Sequence, residues 1–252
     1  MSHAPTEPQA PHAHPGGPFS KRAIQAAWAL HVVTASGVIV GFIGLTSVVE
    51  GHARAAILWL VGAMVLDGFD GPIARKIEVS KRLPNIDGNA LDLIVDYFTC
   101  TIVPVAFLDA FDILPAHTIG PIGFAMLLTG GLWMARTDME TEDNWFRGFP
   151  AEWNVIIPTL YLLGENKWFN LAICVLLCLA SVTYKFEFPH TVRVVENRII
   201  SLTAMIAWLA SMTVLAIQQD HPSEWLRYVL IAAPMWTLWQ VVHRYAQSDH
   251  GA

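Results

Sequence analysis

Apolar residues run along this chain in long blocks separated by short polar breaks. Eight blocks stand at roughly 24–49, 54–75, 89–112, 117–136, 151–164, 167–185, 198–217 and 225–245. A helix crosses the hydrocarbon of a bilayer with about 20 apolar residues, so blocks of this kind read as transmembrane helices. The fifth is short for a span and borrows its flanks. No soluble domain is interposed and no fixed-period repeat is present. The pattern predicts an all-α, polytopic membrane bundle of about eight helices over residues 21–246. The stretch MSHAPTEPQAPHAHPGGPFS ahead of it is rich in Pro, Ala and His and lacks the apolar core of a secretory signal. Residues 1–20 are therefore expected to be a disordered cytoplasmic tail, and residues 247–252 a short C-terminal one.

Composition agrees with the pattern. Of 252 residues, 54% are hydrophobic and 14% charged, against roughly 25% charged in soluble domains. The net charge of -6 is scattered through loops without a basic stripe, so no nucleic-acid partner is expected. Cys100, Cys174 and Cys178 all lie inside apolar blocks, and the last two share a helix face, as reduced packing residues do.

The basic residues orient the bundle. With Lys21 and Arg22 in the cytoplasm and eight alternating spans, 12 of the 15 lysines and arginines fall inside, leaving Arg54, Lys167 and Arg227 outside. Both termini are then cytoplasmic, and so is the loop after the second span.

That loop joins the two segments that carry the chemistry. Asp67, Asp70, Gly71 and Ala74 stand at i, i+3, i+4 and i+7 on one stripe of the second span. Gly88, Asp92 and Asp96 form a stripe of the third. Folded antiparallel, the two stripes can bring four carboxylates together near the membrane face, with small residues permitting close approach. Four acids converging without cations would repel one another, and a single charge at mid-membrane already costs about 2.5–3.5 kcal/mol. Hard divalent cations, Mg²⁺ or Mn²⁺, resolve this because they take oxygen ligands. Two such ions would in turn grip a pyrophosphate, with Arg75 beside a phosphate oxygen. One aspartate alone would read as a helix cap or an ion-pair partner; four on two stripes do not. An EF-hand is excluded by the ligand spacing.

Asp67-x2-Asp70-Gly71-x2-Ala74-Arg75 followed by Gly88-x3-Asp92-x3-Asp96 resembles the signature of the CDP-alcohol phosphotransferases, with every fixed position filled. The twelve residues between Arg75 and Gly88 make a longer gap than is common in that family. The resemblance implies a helical integral-membrane fold and metal ligation by Asp67, Asp70, Asp92 and Asp96. It makes Asp92 and Asp96 the catalytic candidates, Asp96 as base for the incoming alcohol. Asp67, Gly71, Ala74, Arg75 and Gly88 would line the nucleotide site, and a homodimer is implied. The segments AWALHVVTASG and ARTDMETEDNWFRGFPAEWNVI are similar to a bacterial subgroup whose acceptor is free choline. That likeness implies CDP-diacylglycerol and choline as substrates, CMP and phosphatidylcholine as products, Mn²⁺ as the preferred ion, and residence in the inner membrane.

A quaternary ammonium donates no N–H hydrogen bond, so its recognition falls to aromatic faces and carboxylates. The loop before the fifth span offers Trp145, Phe146, Phe149 and Trp153, with Asp138, Glu140, Glu142 and Asp143 nearby. Aromatics flanking a span also form interfacial belts, so Trp145 and Trp153 keep both readings. Asn154, Tyr97 and Tyr184 are further candidates for this pocket. Lys185, Arg193 and Arg198 hold lipid phosphates or merely enforce orientation, and His31 and Thr34 are candidates to approach the nucleotide. Serine, inositol phosphate or glycerol phosphate are alternative acceptors. A divalent-cation transporter is the rival from another class; it would spread its acids through the membrane depth, whereas these lie on one hairpin beside an arginine.

Overall fold

The computed structural model describes residues 19–164, 166–183, 185–218 and 222–248. Most of the expected N-terminal tail, Tyr184 and the last residues of the C-terminal tail lie outside them. Each of the eight apolar blocks folds as a helix. Helix α1 (Lys21–Val49) begins at Ser20, whose side chain accepts from the Ala23 N–H. Helix α2 (Ala53–Lys76) follows after a tight turn, and the four-residue α3 (Val79–Arg82) occupies the hairpin beyond it. Asp87 then accepts from the N–H groups of Asn89 and Ala90 and starts α4 (Gly88–Asp96) at its glycine. The rod continues through a π-helical turn (Tyr97–Ile102) into α5 (Val103–Ala110). Pro104 explains the wide turn: it has no N–H to give Cys100, and its ring needs room where that carbonyl would stand.

The second half adds α6 (Ile119–Met134), α7 (Trp153–Leu163), α8 (Lys167–Val182), α9 (Arg198–Ile217) and α10 (Glu224–Ser248). Between them strand β1 (Trp145–Arg147) pairs antiparallel with β2 (Glu187–Pro189), Phe146 opposite Phe188. The fold is mostly helical, as expected, with this small sheet added among the described residues. Three-residue strands hold too few positions to display a period of two, and their paired residues stand 40 to 44 apart in the chain.

Helices α1, α2, the Gly88–Ala110 rod and α9 are long and apolar enough to cross a bilayer, which makes this a multi-pass membrane protein. Helices α7 and α8, with 11 and 16 residues, are apolar but shorter than a full crossing. Phe42, Phe69, Phe124, Leu128, Leu176 and Ile206 point outward and are more than half exposed, a surface suited to lipid. The interior is one apolar cluster in which Ile57 and Leu60 of α2 meet Val103 and Phe107 of α5, Ile157 of α7 and Met212 of α9.

Close approach of α1 to the third rod fixes the site. A Cβ on Gly37 would stand 2.6 Å from Cγ1 of Val95, and one on Gly41 2.8 Å from Cγ2 of Thr99. Only hydrogen fits at these two positions, so α1 lies against the turn that carries Asp92 and Asp96 and holds it beside α2.

Candidate metal and nucleotide site

The carboxylates of Asp67, Asp70 and Asp92 converge: one oxygen from each lies within 4.8 Å of the others. Asp70 is buried, 7% exposed, and accepts a hydrogen bond from Thr34 Oγ1 of α1 at 2.6 Å. Asp96, one turn further along the rod, lines the same small cavity with Thr34, Gly37 and Thr99 but does not belong to the tight trio. Among the described residues, no lysine or arginine forms an ion pair with any of the four. An oxygen-only donor set held together without a protein cation fits a hard divalent ion, Mg²⁺ or Mn²⁺.

The small residues of the two stripes divide their tasks. The Arg75 side chain folds back over Gly71, where a Cβ would meet Nη1 at 3.4 Å, so the guanidinium lies along the site's edge. Gly88 packs against the His31 ring, with Cε1 3.1 Å from where its Cβ would be. That ring is buried and its Nε2 has no hydrogen-bond partner. Ala74 packs in a small apolar cluster with Ala27, Leu30 and Val79, on the side of α2 that faces α1 and α3. Pro72 cannot donate to the carbonyl of Gly68, which leaves that oxygen without its helical partner within one turn of Asp70.

Over this edge sits the cap made by β1, β2 and the loop after β2. Arg193 directs Nη1 at both oxygens of Glu140, 3.0 and 2.9 Å away, and is an electrostatic neighbour of Asp92. His190 stacks on Phe146 with ring centroids 5.1 Å apart. Burial, then the nearby Arg193 and Arg75 charges, push its pKa down to about 4, so the ring is neutral at physiological pH. Arg244 of α10 clamps the cap from the side, reaching Asp143 at 2.6 Å and Glu187 at 2.7 Å. Its guanidinium hydrogen bonds hold the Asp143 carboxyl below its usual range.

The aromatic and acidic loop is thus largely occupied by the protein's own cations. Arg244 covers the Trp145 ring at 4.7 Å, and Asp138 pairs with Arg136, so of the four loop acids only the exposed Glu142 makes no ion pair among the described residues. Trp153 is fully buried edge-on against Phe149, and its Nε1 is unpartnered. Asn154 is buried, with Oδ1 unpartnered and Nδ2 3.9 Å from Met64 Sδ, a turn below Asp67. Tyr97 donates to the Leu127 carbonyl, and Lys185 is exposed.

Two groups escape sequence reading. His190 sits in a loop with no motif. Glu152 interrupts an apolar stretch, the same signal that marks the aspartates, and its carboxylate is an electrostatic neighbour of Asp67 and Asp96.

Against known proteins, a family model described as CDP-alcohol phosphatidyltransferase matches residues 27–185. The chain is 37% identical over 194 residues to the phosphatidylcholine synthase of Pseudomonas aeruginosa, covering 77% of this chain and 81% of that one. It is 33% identical over 210 residues to the phosphatidylcholine synthase of Brucella melitensis, covering 83% and 72%. With the protein of that name from Borreliella burgdorferi the identity is 33% over 180 residues, covering 70% and 76%.

Proposed function

The chain belongs to the CDP-alcohol phosphatidyltransferase family, and from that premise we propose that it transfers the phosphatidyl group of CDP-diacylglycerol to choline, forming phosphatidylcholine and releasing CMP. The observation that carries this reading is the convergence of Asp67, Asp70 and Asp92 with no cationic side chain among them. The activity for which its relatives are named supplies the acceptor.

In this reading Asp67, Asp70, Asp92 and Asp96 hold one or two divalent cations, Mn²⁺ in preference to Mg²⁺. Bound there, such ions would neutralise the pyrophosphate and the departing CMP. Gly71 and Gly88 leave room for the nucleotide, and Arg75 swings from Gly71 to a phosphate oxygen. The choline oxygen attacks the lipid-side phosphorus, the P–O bond to CMP breaks, and the hydroxyl proton passes to Asp96. Standing outside the tight trio leaves Asp96 a free oxygen for that proton. Trp153 and Asn154, buried beside the same helices with unpartnered polar atoms, are assigned to the choline side of the site. Arg193 is assigned to the lipid phosphate. We place the reaction at the cytoplasmic face of the bacterial inner membrane, with eight crossings and both termini inside, because that arrangement puts 12 of 15 basic residues on one side. A homodimer follows from the family resemblance alone.

The test is CMP release by the purified chain given CDP-diacylglycerol, Mn²⁺ and a panel of alcohols. Turnover should require choline; release that ignores choline, or that runs faster with serine, overturns the acceptor.

A further inference from the structure

A large cavity lies at the other end of α2 from the aspartates. Arg54, which lines it, precedes Asp70 by 16 residues of α2, about 24 Å at 1.5 Å per residue. It encloses about 890 Å³ between the α1–α2 turn, the end of α5, the end of α7 and the start of α10. Its rim is cationic and its floor apolar: Arg54 and Arg227 face it together with Leu58, Phe111, Tyr161 and Leu215.

Among the described residues, two features of the rim lack a counter-charge and a third is only partly paired. Of the three basic residues that span alternation assigns to this end, Lys167 pairs with Asp112, but Arg54 has no hydrogen-bond or ion-pair partner among the described residues. Arg227 pairs with Glu224 at 3.5 Å, but its buried Nε has no acceptor among the described residues. Finally, the N-terminus of α2 opens into the cavity without a side-chain cap. Its first helical bond runs from Ala56 N–H to His52 carbonyl, which leaves the Ala53, Arg54 and Ala55 N–H groups for a ligand. Two arginines and an uncapped helix N-terminus above an apolar floor match a phosphate carried on a hydrocarbon body.

We propose that this cavity binds the phosphate headgroup of an anionic phospholipid in the leaflet opposite the candidate active site. Arg54, Arg227 and the α2 N–H groups take the phosphate oxygens, and the glycerol and upper acyl carbons lie on Leu58, Phe111 and Leu215. The unpaired Arg54 and the uncapped α2 N-terminus select an anionic lipid over a zwitterionic one. The site is separate from the aspartate cluster and does not depend on which alcohol that cluster uses.

Thermal unfolding of the full chain in neutral detergent, titrated with phosphatidylglycerol, the zwitterionic phosphatidylethanolamine or inorganic phosphate, tests the proposal. Phosphatidylglycerol should raise Tm saturably and phosphatidylethanolamine should not. The Arg54→Gln/Arg227→Gln variant should bind phosphatidylglycerol at least about tenfold more weakly, the loss expected for charged hydrogen bonds, while keeping its CMP release. Arg54→Gln alone, at an exposed and unpaired position, preserves the fold and should show part of the same loss. A shift with inorganic phosphate that also vanishes in the double variant supports the site and makes free phosphate its source. Equal shifts in wild type and double variant, or equal shifts with both lipids, overturn it.

Discussion

Asp70 is the most enclosed of the signature acids, and among the described residues its hydrogen bond comes from Thr34. Replacing it with Asn keeps an oxygen for Thr34 and removes one negative charge from a repelling group. Asp70→Asn should therefore keep or raise Tm while lowering CMP release about 10²–10³-fold, the usual effect of losing one electrostatic stabiliser. A variant that loses Tm and activity together would count against a metal-holding role. Gly148 makes the opposite kind of contribution, purely structural. It sits at φ +86, and a Cβ there would stand 2.7 Å from the Ala180 carbonyl oxygen. Gly148→Ala should destabilise the protein by about 1–3 kcal/mol, read as a lower Tm, because neither backbone can yield cheaply.

Among the elements, the cap formed by β1 and β2 has a pH dependence that can be signed. Docked, His190 takes a proton only near pH 4; released, it does so near its ordinary 6.5. The open cap therefore binds more protons between those values, and docking weakens as pH falls from about 6.5 to about 4, with nothing lost above. Asp143 acts in the same sense. Its carboxyl is held low by Arg244, so that clamp is intact above the ordinary carboxylate range and fails as acid protonates it. Hydrogen-exchange protection across residues 138–150, corrected for the intrinsic rate at each pH, should fall on acidification, and His190→Phe, which keeps the stack on Phe146, should abolish the upper part of that change. An unaltered profile in His190→Phe would assign the pH response elsewhere.

For the molecule as a whole, the acids of α2 and the third rod stay together despite mutual repulsion, because packing along α1 imposes the geometry. Removing divalent ions should therefore stop the reaction without unfolding the bundle. EDTA is expected to abolish CMP release with far-UV circular dichroism unchanged, and added Mn²⁺ to restore turnover. Loss of helicity on chelation would mean that the ions supply folding energy as structural metals do.

The sequence by itself determined the helices and the stripes on which the hairpin acids lie. Long apolar blocks dictate helix in lipid because every backbone group must be satisfied within its own segment. Carboxylates at spacings of three and four share a stripe whatever the rest of the chain does, so Asp67, Asp70, Asp92 and Asp96 were legible without a structure. Tertiary structure alone decided what surrounds them. Arg193 meets Glu140 and Arg244 meets Asp143 across 53 and 101 residues. No local pattern encodes pairs so distant, and they turn a loop of open acids and aromatics into a closed cap. Likewise Gly37 and Gly41 read as small residues on a span until Val95 and Thr99 are found against them, and Arg54 and Arg227 read as topological exceptions until α2 and α10 bring them to one cavity.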